Sequence, residues 1–281
     1  MARPIWKGNI SFGLVNVPIS LYPAEEKSEM HFKLLDKRTK SEIHYERISA
    51  ETGQQVPSDQ VVKGYKHHGG DYIVLTDDDF KKAAVEATQT IEIADFVPLN
   101  SIEYTYFEKP YYVVPEKKAE KGYVLLREVL KRAGKVAIAK VVIRSRQYLA
   151  ALIPQKDALV LNLLRYSDEL RDPSEFQFPS GSIEQYKVSE KELQFAEMLV
   201  DSMTSEWDPK RYHDEYREAL MEWIEKKAQA GGAMPALQGE FEGKEQTGKV
   251  VDMMELLKKS VQRAADRRGK EGIREKKEDA A

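Results

Sequence analysis

The stretch Lys135–Pro154, KVAIAKVVIRSRQYLAALIP, limits the fold more than any other part of the chain. Its β-branched first half, Val136–Ile143, and its apolar second half, Tyr148–Ile153, predict two strands joined by the polar turn Arg144–Gln147. Pro154 closes the second strand where a ladder N–H can be spared. Asp157–Tyr166 (DALVLNLLRY) follows at once as a third strand, so this part of the chain reads as an antiparallel meander. Ahead of it, short strands are expected at Ile10–Leu21, interrupted by Gly13 and Pro18, and at Asp71–Leu75, Gln89–Pro98 and Ser101–Pro115. Only two helices interrupt them: one opened by Thr76 and running to about Ala87, and Ala119–Ala133 with Gly134 as its C-cap. Strand–helix–strand units do not recur, which favours a closed or nearly closed β-barrel over an alternating α/β fold. The fold class is therefore α+β: a barrel core with an inserted arm, then a helical C-terminal arm and a tail.

Charge is distributed unevenly. The whole chain carries a formal −3, yet Lys109–Tyr148 holds eleven Lys/Arg against three Glu and Asp168–Glu225 holds sixteen Asp/Glu against six Lys/Arg. A concentrated positive field beside a β platform is a seat for a polyanion. Cysteine is absent, which excludes disulfides and thiolate metal sites. No apolar run reaches membrane-spanning length and the N-terminus does not read as a signal, so a soluble cytoplasmic protein is expected.

His31–Lys66 lacks the apolar residues for a core of its own and carries Lys33, Lys37, Arg38, Lys40, Arg47, Lys63 and Lys66 against five acids. Strand character is confined to Ile43–Ile48, between turn signals. Such a segment reads as an arm projecting from a larger domain. After Arg171 the texture becomes helical. Ser189 and Glu192 form a capping box ahead of a helix to about Ser205, and Asp208-Pro209 caps a second to about Ala230. Their faces, with Leu199, Met203, Tyr216, Leu220 and Trp223, need something to bury against. Residues 231–249 are Gly/Gln/Glu-rich and read as a linker. Beyond it, Val251, Met254, Leu257 and Val261 mark one side of a short amphipathic segment of the kind that folds on a partner, followed by a basic tail.

Chemistry-bearing motifs are few. Asp77, Asp78 and Asp79 suit the first turn of a capped helix better than a metal site. Tyr104, Tyr106, Phe107, Tyr111 and Tyr112 read as core aromatics of a strand. His67-His68 sit in a turn, and there is no P-loop. Neither a catalytic grouping nor a metal or cofactor site is expected, and a binding protein is the default. Two rival readings remain open: a metal-dependent nuclease acting at DNA ends through Asp77–Asp79, and a single-strand binder stacking bases on Tyr104–Tyr112.

The segments IWKGNISFGLVNVPISLY, ERISAETGQQVPSDQVVKGYK, KVVIRSRQYLAALIP and KVVDMMELLKKS, in that order, closely resemble the bacterial Ku family. The resemblance implies a homodimer that binds double-stranded DNA ends in non-homologous end joining, closing a ring with one bridge arm per protomer. It assigns residues 1–188 to a core barrel with the bridge at about 31–70, and 189–230 to a helical dimerisation arm. Residues 231–249 become a linker, and 250–281 a segment that recruits the ATP-dependent DNA ligase of the pathway. The implied DNA contacts are Lys7, Lys33, Lys37, Arg38, Lys40, Arg47, Lys63, Lys66, Arg144 and Arg146. The dimer contacts are Leu199, Met203, Tyr216, Leu220 and Trp223, and the ligase contacts Val251, Met254 and Leu257. A nucleoid-associated place in the cytoplasm goes with it. With no cysteine, the bridge holds no zinc and strand pairing must order it.

Overall fold

The computed structural model describes residues 3–26, 30–83 and 89–230, together with Leu256, Leu257 and Ser260. The chain divides into two units, Met1–Phe176 and Gln177–Ala281. In chain order the first contains β1 (Trp6–Phe12), β2 (Val15–Pro23), β3 (Lys63–Lys66), β4 (Tyr72–Leu75), α1 (Asp77–Ala83) and β5 (Thr90–Pro98). These are followed by β6 (Phe107–Pro115), α2 (Glu120–Ala133), β7 (Lys135–Ile143), β8 (Arg146–Gln155) and β9 (Ala158–Leu164).

Seven of these strands close a barrel in the order β1-β2-β6-β9-β8-β7-β5, as the strand-rich first half requires. Every neighbour pair is antiparallel except β5 with β1, which meet in parallel through Asn9↔Thr90, Ile10↔Ile91 and Ser11↔Glu92. That seam needs Gly8. A Cβ there would lie 2.1 Å from the Gln89 carbonyl oxygen and 2.4 Å from the Trp6 ring, and the Asn9 N–H donates to that same carbonyl at 2.9 Å. Alternation along β1 and β2 sends Ile10, Val17, Ile19 and Leu21 inward. Facing them, the alanines Ala137, Ala139 and Ala150 make room for Leu152, Leu159 and Leu161, giving the small-against-large filling that a narrow barrel demands. Burying each Leu or Ile contributes roughly 1.5–3 kcal/mol.

One end of the barrel is plugged by α2, whose Gly134 C-cap is left-handed at φ 61°. Tyr123, Leu126 and Leu130 point into the core, and the Tyr123 hydroxyl donates to the Val113 carbonyl (2.9 Å) while accepting from the Leu159 N–H (2.7 Å). Leu125 and Val129 lie on the exposed side. The helix touches the barrel through a narrower stripe, one residue out of phase with them. At the other end, the Trp6 indole N–H donates to the Val142 carbonyl (2.9 Å). The chain leaves β2 and re-enters β5 at this end, so the described residues between Ala24 and Gln89 form an excursion from it.

That excursion has no buried residue among those described. It is ordered by turns: Leu35↔Glu42 and Ile48↔Gln55 are isolated bridges, and β3 pairs with β4 from Lys63↔Leu75 to Lys66↔Tyr72. Ile43–Ile48 is thus not a strand, because each half of it closes a separate turn rather than a ladder. Thr76 caps α1 as expected, and Asp79 caps it in return: the Thr76 N–H donates to Asp79 Oδ2 (2.9 Å) and the Asp79 N–H to Thr76 Oγ1 (3.3 Å).

The aromatic run is only partly core. Tyr111 is buried, whereas Tyr104 lies in a 3-10 turn before β6 and is 93% exposed, and Tyr112 faces outward. Strand alternation puts Tyr111 and Tyr112 on opposite faces, and β6 begins only at Phe107. The second unit holds α3 (Glu190–Met203), opened by the Ser189–Glu192 capping box, and α4 (Glu215–Gln229). α4 starts later than expected: Asp208-Pro209 caps only a 3-10 turn, Pro209–Arg211, and Asp214 caps the helix. Neither helix buries a residue.

Candidate nucleic-acid interface

The β7–β8 hairpin turns through two residues, Arg144 and Ser145, because Ile143 pairs with Arg146 and Val142 with Gln147. The four-residue polar turn read from the sequence is therefore shorter. Arg144 stands alone at the tip, in the left-handed region at φ 61° where glycine or asparagine is usual. Arg146 belongs to β8. Its Nη2 lies 2.5 Å from Glu169 Oε1, and its guanidinium sits 5.2 Å from the centre of the Tyr148 ring. The other oxygen of Glu169 accepts from the Tyr166 N–H (2.9 Å). That bond first, then Arg146 and Arg165, holds the carboxyl below its usual range.

Lys7 leaves the outer face of β1 and lies 3.5 Å from Glu116 Oε1. The same oxygen accepts from the hydroxyl of Ser20, which is only 3% exposed, at 2.5 Å. The Ser20 hydrogen bond, with the Lys7 charge behind it, lowers the Glu116 carboxyl.

On the excursion, Lys33 Nζ is 2.5 Å from Glu42 Oε1, and Lys63 is 3.9 Å from Asp77 while lying 4.6 Å above the Phe80 ring. Lys37, Arg38 and Lys40 crowd one turn, which the Asp36 carboxylate anchors by accepting from the Arg38 N–H at 2.7 Å. That bond, aided by the Thr39 hydroxyl, lowers the Asp36 carboxyl. Arg47 reaches Ser58 Oγ at 3.4 Å, and Lys66 sits opposite Tyr72. Among the described residues, then, Lys7, Lys33, Lys63 and Arg146 have an acidic partner. Lys37, Arg38, Lys40, Arg47, Lys66 and Arg144 have no ion pair.

The basic stretch Lys109–Tyr148 is less available than its charge implies. Lys109 pairs with Glu25 (2.7 Å), and Arg127 is spent on Glu128 and on the Asp157 carbonyl. Lys109 with Glu25 and Arg127 with Asp157 join residues too distant in sequence for spacing to reveal. What the topology does bring to one barrel end is the Arg144 tip, the start of β1 near Lys7 and both roots of the excursion.

Among the described residues no cluster of three or more His, Asp or Glu could hold a metal ion. Asp79 is committed to capping α1, and the rings of His67 and His68 stand edge to face at 5.5 Å in the β3–β4 turn. No described helix is long and apolar enough to cross a membrane. Leu199, Leu220 and Trp223 are half-buried within the second unit, while Met203 and Tyr216 are exposed. Val251 and Met254 lie outside the described residues, and Leu257 is in a helical turn.

A closed barrel whose cations spread over one end and an uncored arm has the layout of a scaffold that holds an extended polyanion, rather than one that encloses a small substrate. Residues 11–195 match the family model described as the Ku70/Ku80 beta-barrel domain. The chain is 50% identical over 261 residues to the "Non-homologous end joining protein Ku" of Coxiella burnetii, covering 93% of this chain and 94% of that one. Proteins of the same description are 42% identical in Cupriavidus necator (100% and 81% covered) and 39% identical in Pseudomonas aeruginosa (94% and 90% covered). The chain belongs to the Ku family.

Proposed function

We propose that this protein binds the ends of double-stranded DNA without regard to sequence, as a ring of two copies, in non-homologous end joining. Membership of the family supports end binding in that repair process. The observation that carries the ring is the excursion. It exposes large apolar side chains, Phe32, Leu34, Tyr45, Ile48 and Tyr65 among them, with Tyr45 82% exposed, and it has no core of its own. A segment of that kind needs another surface to order it. In the proposed ring its apolar residues meet the second copy while Lys37, Arg38, Lys40, Arg47 and Lys66 meet phosphates.

Phosphate contacts position a duplex without reading bases, which suits a protein that must accept any broken end. A closed ring loads only where the duplex terminates, so geometry supplies the selectivity. In this reading residues 1–188 are the barrel and bridge. The second-unit helices, with Leu199, Met203, Tyr216, Leu220 and Trp223, hold the dimer. The segment around Val251, Met254 and Leu257 docks the ATP-dependent DNA ligase across the linker 231–249, and the assembly protects and bridges ends at the nucleoid. The protein is a binding component and not an enzyme. The nuclease reading loses Asp79 to helix capping, and the single-strand reading loses Tyr111 to the barrel core.

The deciding experiment compares linear with covalently closed circular DNA of one sequence by gel shift, alongside the mass of the free protein. A strong preference for the linear form by a particle of twice the chain mass is expected. Equal competition by intact circles, or a monomer, overturns the ring.

A further inference from the structure

Of the four candidate DNA cations that carry an acidic partner, two are held by carboxylates that are themselves fixed in place. Glu116 is gripped by the buried Ser20 hydroxyl (2.5 Å), and its own backbone N–H is tied to the Pro18 carbonyl (3.0 Å). Glu169 is gripped by the Tyr166 N–H (2.9 Å) within a turn that its own side chain caps. Each holds an oxygen against a cation, 3.5 Å from Lys7 Nζ and 2.5 Å from Arg146 Nη2. An ordinary exposed ion pair costs side-chain entropy to form and contributes little. Here the acid is already immobilised, so only the cation has freedom left to lose.

We infer that Glu116 and Glu169 are built-in competitors of DNA phosphate, occupying the ligand positions on Lys7 and Arg146 and thereby setting how hard the barrel grips the duplex. This rests on the reading that those two cations touch the duplex. A phosphate approaching either cation must displace a carboxylate or sit beside it against like-charge repulsion. A cation already neutralised by a carboxylate also contributes less to the release of counterions from DNA. The barrel thus meets the duplex with part of its charge withheld, while Arg144 and the unpaired arm cations remain free. Both carboxyls are lowered by their hydrogen bonds, so the competition persists throughout the neutral range.

The test uses Glu116→Gln, Glu169→Gln and the double variant in the full-length protein, with a short blunt duplex titrated by fluorescence anisotropy over a series of salt concentrations. An amide oxygen still accepts from Ser20 and from Tyr166, so the anchoring bonds survive while the charge goes. The double variant is expected to bind about tenfold tighter near physiological salt. Its slope of log K against log salt should steepen by about 0.9 for each freed cation, or about 1.8 per protomer. Tighter binding cannot come from a misfolded fraction. Ser20→Ala, which loosens Glu116 but keeps its charge, should tighten binding by less than Glu116→Gln. Unchanged or weaker binding with an unchanged slope in the glutamine variants overturns the inference. Lys7→Ala and Arg146→Ala separate the two layers. If they weaken binding while the glutamine variants do nothing, competition alone is wrong; if they leave binding unaltered, the contact reading falls with it.

Discussion

Arg144→Gly should strengthen the fold and weaken the DNA complex at once. The tip of the β7–β8 hairpin places Arg144 at φ 61°, where an L-residue crowds its Cβ against the backbone at a cost of about 1–2 kcal/mol. Glycine removes that cost but gains freedom in the unfolded chain, returning roughly 0.4–1 kcal/mol. The net gain centres on about 0.8 kcal/mol within a span of roughly 0–1.6, since no ion pair or hydrogen bond of the Arg144 side chain is seen among the described residues. Urea unfolding should show the gain as a raised midpoint with an unchanged slope.

On the DNA side the substitution deletes one cation per chain. If that cation meets a phosphate, log K against log salt becomes shallower by about 0.9 per bound chain, equally for every sequence tested. Arg144→Ala serves as the control, because it loses the charge but keeps the left-handed strain. A glycine variant that is more stable and binds as tightly as the parent refutes the tip as a contact. One that is less stable refutes the strain argument, and a loss that varies with base sequence refutes phosphate contact.

Tyr123→Phe should cost about 1–3 kcal/mol, since it strands the buried Leu159 N–H and the Val113 carbonyl, while leaving the DNA salt slope untouched; urea midpoints and anisotropy read the two effects separately. The pH dependence of stability follows from the lowered carboxyls of Glu116, Glu169 and Asp79. Because their folded values lie below the unfolded ones, near 3.9 for Asp and 4.3 for Glu, their stabilisation is complete above those values and is lost as pH falls through the folded ones. Thermal melts from pH 7 down to about pH 3 should therefore fall less steeply in the Glu116→Gln/Glu169→Gln variant than in the parent.

The barrel was legible because its strands carry local signals. β-Branched runs, a proline at the end of β8 and the three consecutive segments of the meander survive as β7, β8 and β9 with little change. Both helix caps at Thr76 and Ser189 were readable for the same reason, since a capping box is a contact three residues long. Failures fall where the outcome depends on partners distant in sequence. Tyr104 and Tyr111 are the same residue type in one aromatic run, yet Tyr104 falls in a 3-10 turn before β6 begins, and the pairing of β6 with β9 turns Tyr111 into the core.

The candidate site shows the same division with a consequence for function. Counting charges pointed to cations on an arm and at a hairpin, because a lysine or arginine near a turn is a local fact. It could not show that Lys7 would find Glu116 across 109 residues, nor that Lys109 would find Glu25. Net charge along a segment therefore overstates the field at the barrel and represents the arm more fairly, where three cations share one turn around Asp36. If the duplex lies against both, the arm supplies most of the free charge while the barrel supplies a rigid wall whose cations are partly spoken for. An arm without a core needs another surface to order it, whereas the barrel end that roots it is tied by the Trp6 indole bond, the close approach at Gly8 and the parallel seam. In the proposed ring, a second copy would supply the surface that this uncored arm lacks.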